Sequence, residues 1–155
     1  MAGLNSALSD AAALIARIRE EIPLTQAMQL AVQAWDGKTL TLSVPLSANF
    51  NDKGTAFAGS ITALGSIAGW ALLTLWAEVE AGGCQVAVYD AHFSFRKPLQ
   101  GDFSATVSLP EAGECSALKE SIAEKGKGRM NLRVSLADAN GEAAYLEAGY
   151  ALWKS

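Results

Sequence analysis

The stretch from Ile61 to Ala77, ITALGSIAGWALLTLWA, carries no charged residue and is entered directly from a polar, glycine-bearing loop, NFNDKGTAFAGS, over 49–60. A segment apolar on nearly all sides is a helix buried over most of its surface. It falls short of the roughly 20 residues that cross a bilayer. It also carries Thr62, Ser66 and Thr74, and alternating sequence follows it. These features predict a core helix and no membrane insertion.

Thr62, Gly65, Ser66 and Gly69 recur at i, i+3, i+4 and i+7 and so share one stripe of this helix. Glycine within a helix costs about 0.8–1 kcal/mol relative to alanine, so two in one stripe imply a close approach to the backbone. Either a neighbouring element packs tightly there, or the stripe walls a narrow channel for an extended ligand.

The loop is where chemistry is expected, because free N–H groups and the positive dipole end at a helix N-terminus favour an oxyanion or carboxylate. Gly54, Ala58 and Gly59 leave room for the approach. Asn49 and Asn51 add amides, and Thr55 and Ser60 add hydroxyls near the cap. An Asx-type turn with a capped helix and no ligand accounts for the same residues.

The 155 residues are half hydrophobic, with net charge −4 and two cysteines. Such a chain makes one domain with a full-sized core. The absence of a Lys/Arg-rich block argues against nucleic acid as the main partner. Cys84 and Cys115 match no metal-ligand spacing and are expected as free thiols. No signal peptide or lipidation motif opens the sequence, so a cytoplasmic location is expected.

From the start, Ser9 or Asp10 is expected to cap a helix running to Glu21, with Ala11, Leu14, Ile15, Ile18 and Ile22 on its apolar stripe and Pro23 ending it. Alternating runs Ala27 to Trp35 and Lys38 to Leu46 meet at Asp36-Gly37, a hairpin signal. After Gly82-Gly83, Gln85 to Arg96 alternates, with Tyr89, Ala91, Phe93 and Phe95 on one face and Val88, Asp90, His92 and Ser94 on the other. Asp102 to Leu109 is a further strand. Arg129 to Ala137 and Ala143 to Trp153 pair across Asn140-Gly141. The sum is an α+β domain over 1–155, with an N-terminal helix over 1–23 and, over 24–153, a curved antiparallel sheet wrapped on one long helix.

This order of elements resembles the hotdog fold of acyl-thioester enzymes. NDKGTAFAGS is similar to the Asn-x-x-Gly-x-x-His-Gly-Gly signature of hotdog thioesterases, with Asn51 and Gly54 in its first two positions. The longer PLSANFNDKGTAFAGSITALGSIAGW, followed by HFSFRKPLQGDF, resembles the thioesterase-like domain family also found fused behind acetyltransferase-like domains. That family is associated with decarboxylation of malonyl-carrier protein. The chain departs from the thioesterase signature at its histidine, here Phe57, and at the next glycine, here Ala58. The acidic residue many hotdog thioesterases carry later on the helix falls at Ser66.

Thioester hydrolysis needs a general base or a carboxylate nucleophile, and the central helix offers none before Glu78. Decarboxylation of a malonyl thioester needs no base. It needs donors aimed at the developing enolate oxygen and a site dry enough to weaken hydration of the carboxylate. Asn51, the Gly59 N–H and the Ser60 or Ser66 hydroxyl are the candidate donors. Phe57 and Trp70 are the candidate apolar wall, and Asn49 or Thr55 would orient the carboxylate. The expected activity is therefore malonyl-thioester decarboxylation, feeding fatty acid synthesis, with coenzyme A or phosphopantetheine entering as part of the substrate and no separate cofactor or metal.

Other functions also fit the sequence. Asp90 and His92, about two 3.3 Å rises apart on one strand face, are a candidate acid–base pair: a thioesterase would use Asp90 as its base, and a hotdog dehydratase would pair His92 with a carboxylate on the partner chain. A non-enzymatic acyl-thioester binding module would use the same pocket, although no helix-turn-helix is visible. Lys125, Lys127 and Arg129 in KGKGRM are candidate contacts for coenzyme A phosphates or an acidic carrier protein. By the resemblance, a homodimer or a dimer of dimers is expected, with the acyl site between subunits.

Overall fold

A computed structural model of the protein describes residues 2–155. Helix α1 (Ala2–Glu21) buries Ala11, Leu14, Ile15 and Ile18. It does not begin at a Ser9 or Asp10 cap. The helix continues ahead of them to Ala2, carried by Ala2, Leu4, Ala7 and Leu8 against the weaker Gly3, Asn5 and Ser6. Pro23 ends α1, yet it also opens a short helix α2 (Pro23–Ala27) as its first residue, where a missing N–H costs nothing. The buried Thr25 hydroxyl fixes the corner, lying 2.7 Å from the Ile22 carbonyl and 3.1 Å from that of Ile18. Ile22 is left exposed.

The strands β1 (Ala31–Trp35), β2 (Thr39–Val44), β3 (Gln85–Phe95), β4 (Phe103–Ser108), β5 (Lys127–Asp138) and β6 (Gly141–Trp153) form one antiparallel sheet in the order β1-β2-β4-β5-β6-β3. The strand expected from Ala27 starts only at Ala31, since α2 and a left-handed Gln29 (φ 57°) take up the intervening chain. The hairpin at Asp36-Gly37 forms as expected. Gly37 has φ 91°, and the Asp36 carboxylate accepts the N–H groups of Lys38 and Thr39 at 2.9 and 2.7 Å.

The long uncharged segment is helix α3 (Ala58–Glu80), which lies against β2, β3, β4, β5 and β6. Its middle is wholly buried between Ala71 and Ala77. It is long and apolar enough to cross a membrane, but one face of the sheet covers it. Inward residues such as Leu40, Leu42, Phe103, Val134, Leu136 and Leu146 complete the core.

The glycine stripe serves packing. A Cβ on Gly65 would lie 3.1 Å from the Phe93 ring, and one on Gly69 would lie 2.3 Å from the Tyr150 hydroxyl. That hydroxyl donates a 2.8 Å hydrogen bond to the Ser66 carbonyl, and burial pushes its pKa up. Helix α4 (Ala112–Lys125) has no counterpart in the alternating pattern. Only Leu118 and Ile122, one turn apart, are buried, and Gly126 ends it in a left-handed conformation at φ 73°.

Candidate functional site

The loop ahead of α3 is built by Asn51. Its Oδ1 accepts the N–H groups of Lys53 (2.8 Å) and Thr55 (3.1 Å), while its Nδ2 donates to Thr55 Oγ1 (2.9 Å) and the Ala56 carbonyl (3.2 Å). Gly54 closes the turn at φ 78°, a conformation that side chains rarely adopt. The amide of Asn51 is thus spent inside the loop, and the group left free to donate is the Thr55 hydroxyl hydrogen.

Asn49 is buried at 3% exposure. Its Nδ2 donates to the carbonyls of Met28 (3.0 Å) and Pro45 (2.8 Å), and its Oδ1 has no partner. Two carbonyls on one side of the amide fix its orientation, so Asn49 offers an acceptor rather than a donor. Its main-chain carbonyl takes the Phe57 N–H at 2.8 Å, which sets the point where α3 begins.

The loop is braced by the segment after β3. The Ala56 N–H donates to the Leu99 carbonyl at 2.9 Å, and the Leu46 N–H donates to Asp102 Oδ1 at 2.9 Å. Sequence reasoning assigned neither Leu99 nor Asp102 a role. The signal available was their place in HFSFRKPLQGDF, the second of the two stretches carrying the family resemblance.

At the N-terminus of α3, Phe57 occupies the cap position with no side-chain capping bond, and no acidic residue stands in the first turn. Phe57 is 53% exposed, and its ring lies so close over Gly59 that a Cβ there would sit 2.2 Å from it. Ala58 is exposed, and Gly59 and Ser60 are half-buried. The Thr62 hydroxyl bonds back to the Gly59 carbonyl at 3.0 Å. Ser66 and Trp70, on the next turns, are half-buried. Asn49, Asn51, Gly54, Thr55, Phe57, Ala58, Gly59 and Ser60 therefore gather at one end of the helix, with Ser66 and Trp70 leading away from it.

Asp90 and His92 do not join them. Phe93 contacts α3 at Gly65, so strand alternation turns His92 to the opposite face of the sheet. There His92 stands across from Glu147, and Asp90 across from Gly149. Both are exposed. A bulge between Val88 and Asp90 brings Tyr89 to this outer face, where its ring covers Gly149. The Arg129 guanidinium stacks on that ring, 4.8 Å from its centre. Lys125 ends α4 and Lys127 opens β5, so the basic group straddles a helix end and a strand rather than occupying a turn.

This helix-in-sheet architecture, with its loop and uncapped helix end, defines the protein as a hotdog-fold, thioesterase-like domain. Residues 11–154 match the family described as Putative thioesterase (yiiD_Cterm), and the chain belongs to that family. Among solved structures, it is similar to a protein of unknown function from Chlorobaculum tepidum, at 25% identity and TM-score 0.88 over 100% of both chains. It is also similar to one described as a probable thioesterase from Pseudomonas aeruginosa, at 26% identity and TM-score 0.80 over 95% of each chain. A putative thioesterase from Shewanella oneidensis shares the fold, at 23% identity and TM-score 0.83 over 97% of this chain and 99% of its own.

Proposed function

We propose that the protein decarboxylates malonyl thioesters, carried on coenzyme A or an acyl carrier protein, to the corresponding acetyl thioesters. The observation that supports this most is an α3 N-terminus with no side-chain cap and no acidic residue in its first turn. The substrate carboxylate leaves as carbon dioxide and its bonding electrons pass into an enolate on the thioester carbonyl. The N–H of Gly59 and the hydroxyl of Ser60 stabilise the enolate oxygen as it forms. Such a donor contributes about 2.7–4 kcal/mol of transition-state stabilisation.

Asn51 and Asn49 act by position: Asn51 holds the loop and Asn49 the entry to the helix. The Thr55 hydroxyl and the apolar ring of Phe57 receive the carboxylate; Trp70, about 15 Å along α3 from Ser60, stands too far away to share that wall. A proton from solvent then completes the acetyl group.

The site is completed by a second copy of the chain. Among the described residues, edge strand β3 pairs only with β6, leaving the outer hydrogen-bonding edge of its eleven residues unpaired. Val88 (41%), Phe95 (52%) and Phe50 (62%) are exposed and apolar. Lys125, Lys127 and Arg129 are the proposed contacts for the phosphate or acidic part of the carrier. Dimers could pair again through the outer face of the sheet. A cytoplasmic enzyme with access to malonyl thioesters for fatty acid synthesis fits this chemistry.

Hydrolysis is the second reading, favoured by the family's description as a thioesterase. It requires a base that the first turn of α3 does not offer, and Asp90 lies on the other face of the sheet. The test is incubation of purified protein with malonyl and acetyl thioesters of both carriers, followed by mass spectrometry. Acetyl thioester from the malonyl substrate supports decarboxylation. Free thiol supports hydrolysis, and no product from either leaves a binding module. Full turnover by a folded Asn51→Ala variant would remove the role given to that residue.

A further inference from the structure

The connection between β3 and β4, over 96–102, grips the loop ahead of α3 at both of its ends. At the loop's exit the Leu99 carbonyl takes the Ala56 N–H at 2.9 Å, and Leu99 itself is buried. At its entry Asp102 Oδ1 takes the Leu46 N–H at 2.9 Å. The connection is held in turn by the β5–β6 hairpin. The Ala143 carbonyl accepts the N–H groups of Arg96 and Lys97 at 2.8 and 3.2 Å, and Asp138 Oδ2 accepts that of Gln100 at 2.8 Å.

The contact at Asp102 falls where the sheet stops. Val44 with Phe103 is the last rung between β2 and β4. Beyond it Pro45 has no N–H to give, and the chain enters a short 3-10 turn, Leu46–Ala48, whose cap residue supplies no side-chain bond. Asp102 precedes Phe103 in the chain, so its side chain adds one rung where the backbone ladder has run out.

That rung fixes the path into the helix. The Asn49 N–H bonds to the Leu46 carbonyl at 2.9 Å, and its Nδ2 bonds to the Pro45 carbonyl at 2.8 Å. Residue 49 therefore hangs on the turn that Asp102 holds. The Asn49 carbonyl receives the Phe57 N–H at 2.8 Å, at the cap of α3. Asp102 is exposed, so its removal leaves the core untouched.

Given the decarboxylation proposed above, on which this rests, we propose that Asp102 is a positioning residue for the reaction. By holding Leu46 it sets, through Asn49 and Phe57, where the Gly59 N–H and the Ser60 hydroxyl stand against the enolate oxygen. Donors aimed at the enolate act in the transition state and not on the bound substrate, so displacing them lowers kcat and spares KM.

The native protein, Asp102→Ala and Asp102→Asn would be compared in malonyl-thioester turnover and in amide hydrogen exchange. Asparagine keeps an oxygen that can accept the Leu46 N–H. Asp102→Ala is expected to lower kcat about ten- to a hundredfold, as a small misplacement of catalytic groups does, with KM within about twofold. Asp102→Asn should stay within about threefold of the native kcat. The amides of Leu46, Asn49 and Phe57 should exchange about tenfold faster in Asp102→Ala, while those of β5 and β6 keep their native rates.

Unchanged kcat in a folded Asp102→Ala protein, an equal loss in both variants, a change in KM alone, or native exchange at the three amides would each overturn the proposal. A native protein that forms no acetyl thioester would overturn the reaction and with it the catalytic consequence, while the exchange rates would still decide whether Asp102 holds the loop.

Discussion

Tyr150 occupies the space that a side chain at position 69 would need: a Cβ on Gly69 would lie 2.3 Å from its hydroxyl and 2.5 Å from the ring carbon bearing it. Neither partner can move freely, because Tyr150 is fully buried on β6 and Gly69 is fully buried on α3. Gly69→Ala is expected to cost about 1–3 kcal/mol through overpacking, despite alanine's better helix propensity. Tyr150→Phe should cost only about 1 kcal/mol, since the Ser66 carbonyl loses a single bond. Urea denaturation of the two variants checks the order.

Asn49 is predicted to matter first for folding. Asn49→Ala leaves the buried Met28 carbonyl without the Asn49 donor and the half-buried Pro45 carbonyl with only the Ala48 N–H at 3.4 Å, at about 1–3 kcal/mol for the unmet group. Asn49→Asp should be worse, because a carboxylate would face two carbonyl oxygens. Chemical denaturation measures both, and equal stability of the aspartate variant and the native protein would contradict the assigned orientation of the amide.

Acid should weaken the protein partly through the turn between β5 and β6. The Gln100 N–H, bonded at 2.8 Å, holds the Asp138 carboxyl below its usual range, with the Asn140 N–H also contributing. A carboxyl lowered in the folded state contributes stability that is complete above its unfolded pKa, about 3.9. That contribution is lost as pH falls from there through the depressed folded value. Melting temperature should therefore drop less steeply below about pH 4 in Asp138→Asn than in the native protein.

The unpaired edge of β3 predicts association. A charged residue at Val88, exposed and on the outermost strand, should shift a dimer toward monomer in analytical ultracentrifugation without unfolding it. If the native protein sediments as a monomer at working concentrations, the shared-site account fails.

The core was the most legible part of the sequence, because uncharged Ile61–Ala77 and the strict alternation of Leu40, Leu42 and Val44 admit few packings. Helix α4 was not legible: it buries only Leu118 and Ile122, too few apolar positions for a helical period to stand out. The bulge that separates Tyr89 from its neighbours is likewise invisible in an alternating pattern, since one extra residue changes which face each side chain takes. In the loop, residue types singled out Asn49 and Asn51 as amide donors. Which amide hydrogens remain free depends on carbonyls from Met28 and Pro45 and on the closing turn at Thr55 and Ala56, a matter of three-dimensional placement.

The enolate is the central claim, and solvent deuterium tests it most directly. Malonyl thioester labelled with carbon-13 in its free carboxylate would be turned over in heavy water and the products weighed. The account predicts labelled carbon dioxide and an acetyl thioester in which the proton returned from solvent is a deuteron, with the thioester bond intact. Release of labelled malonate and free thiol would contradict it and establish a hydrolase.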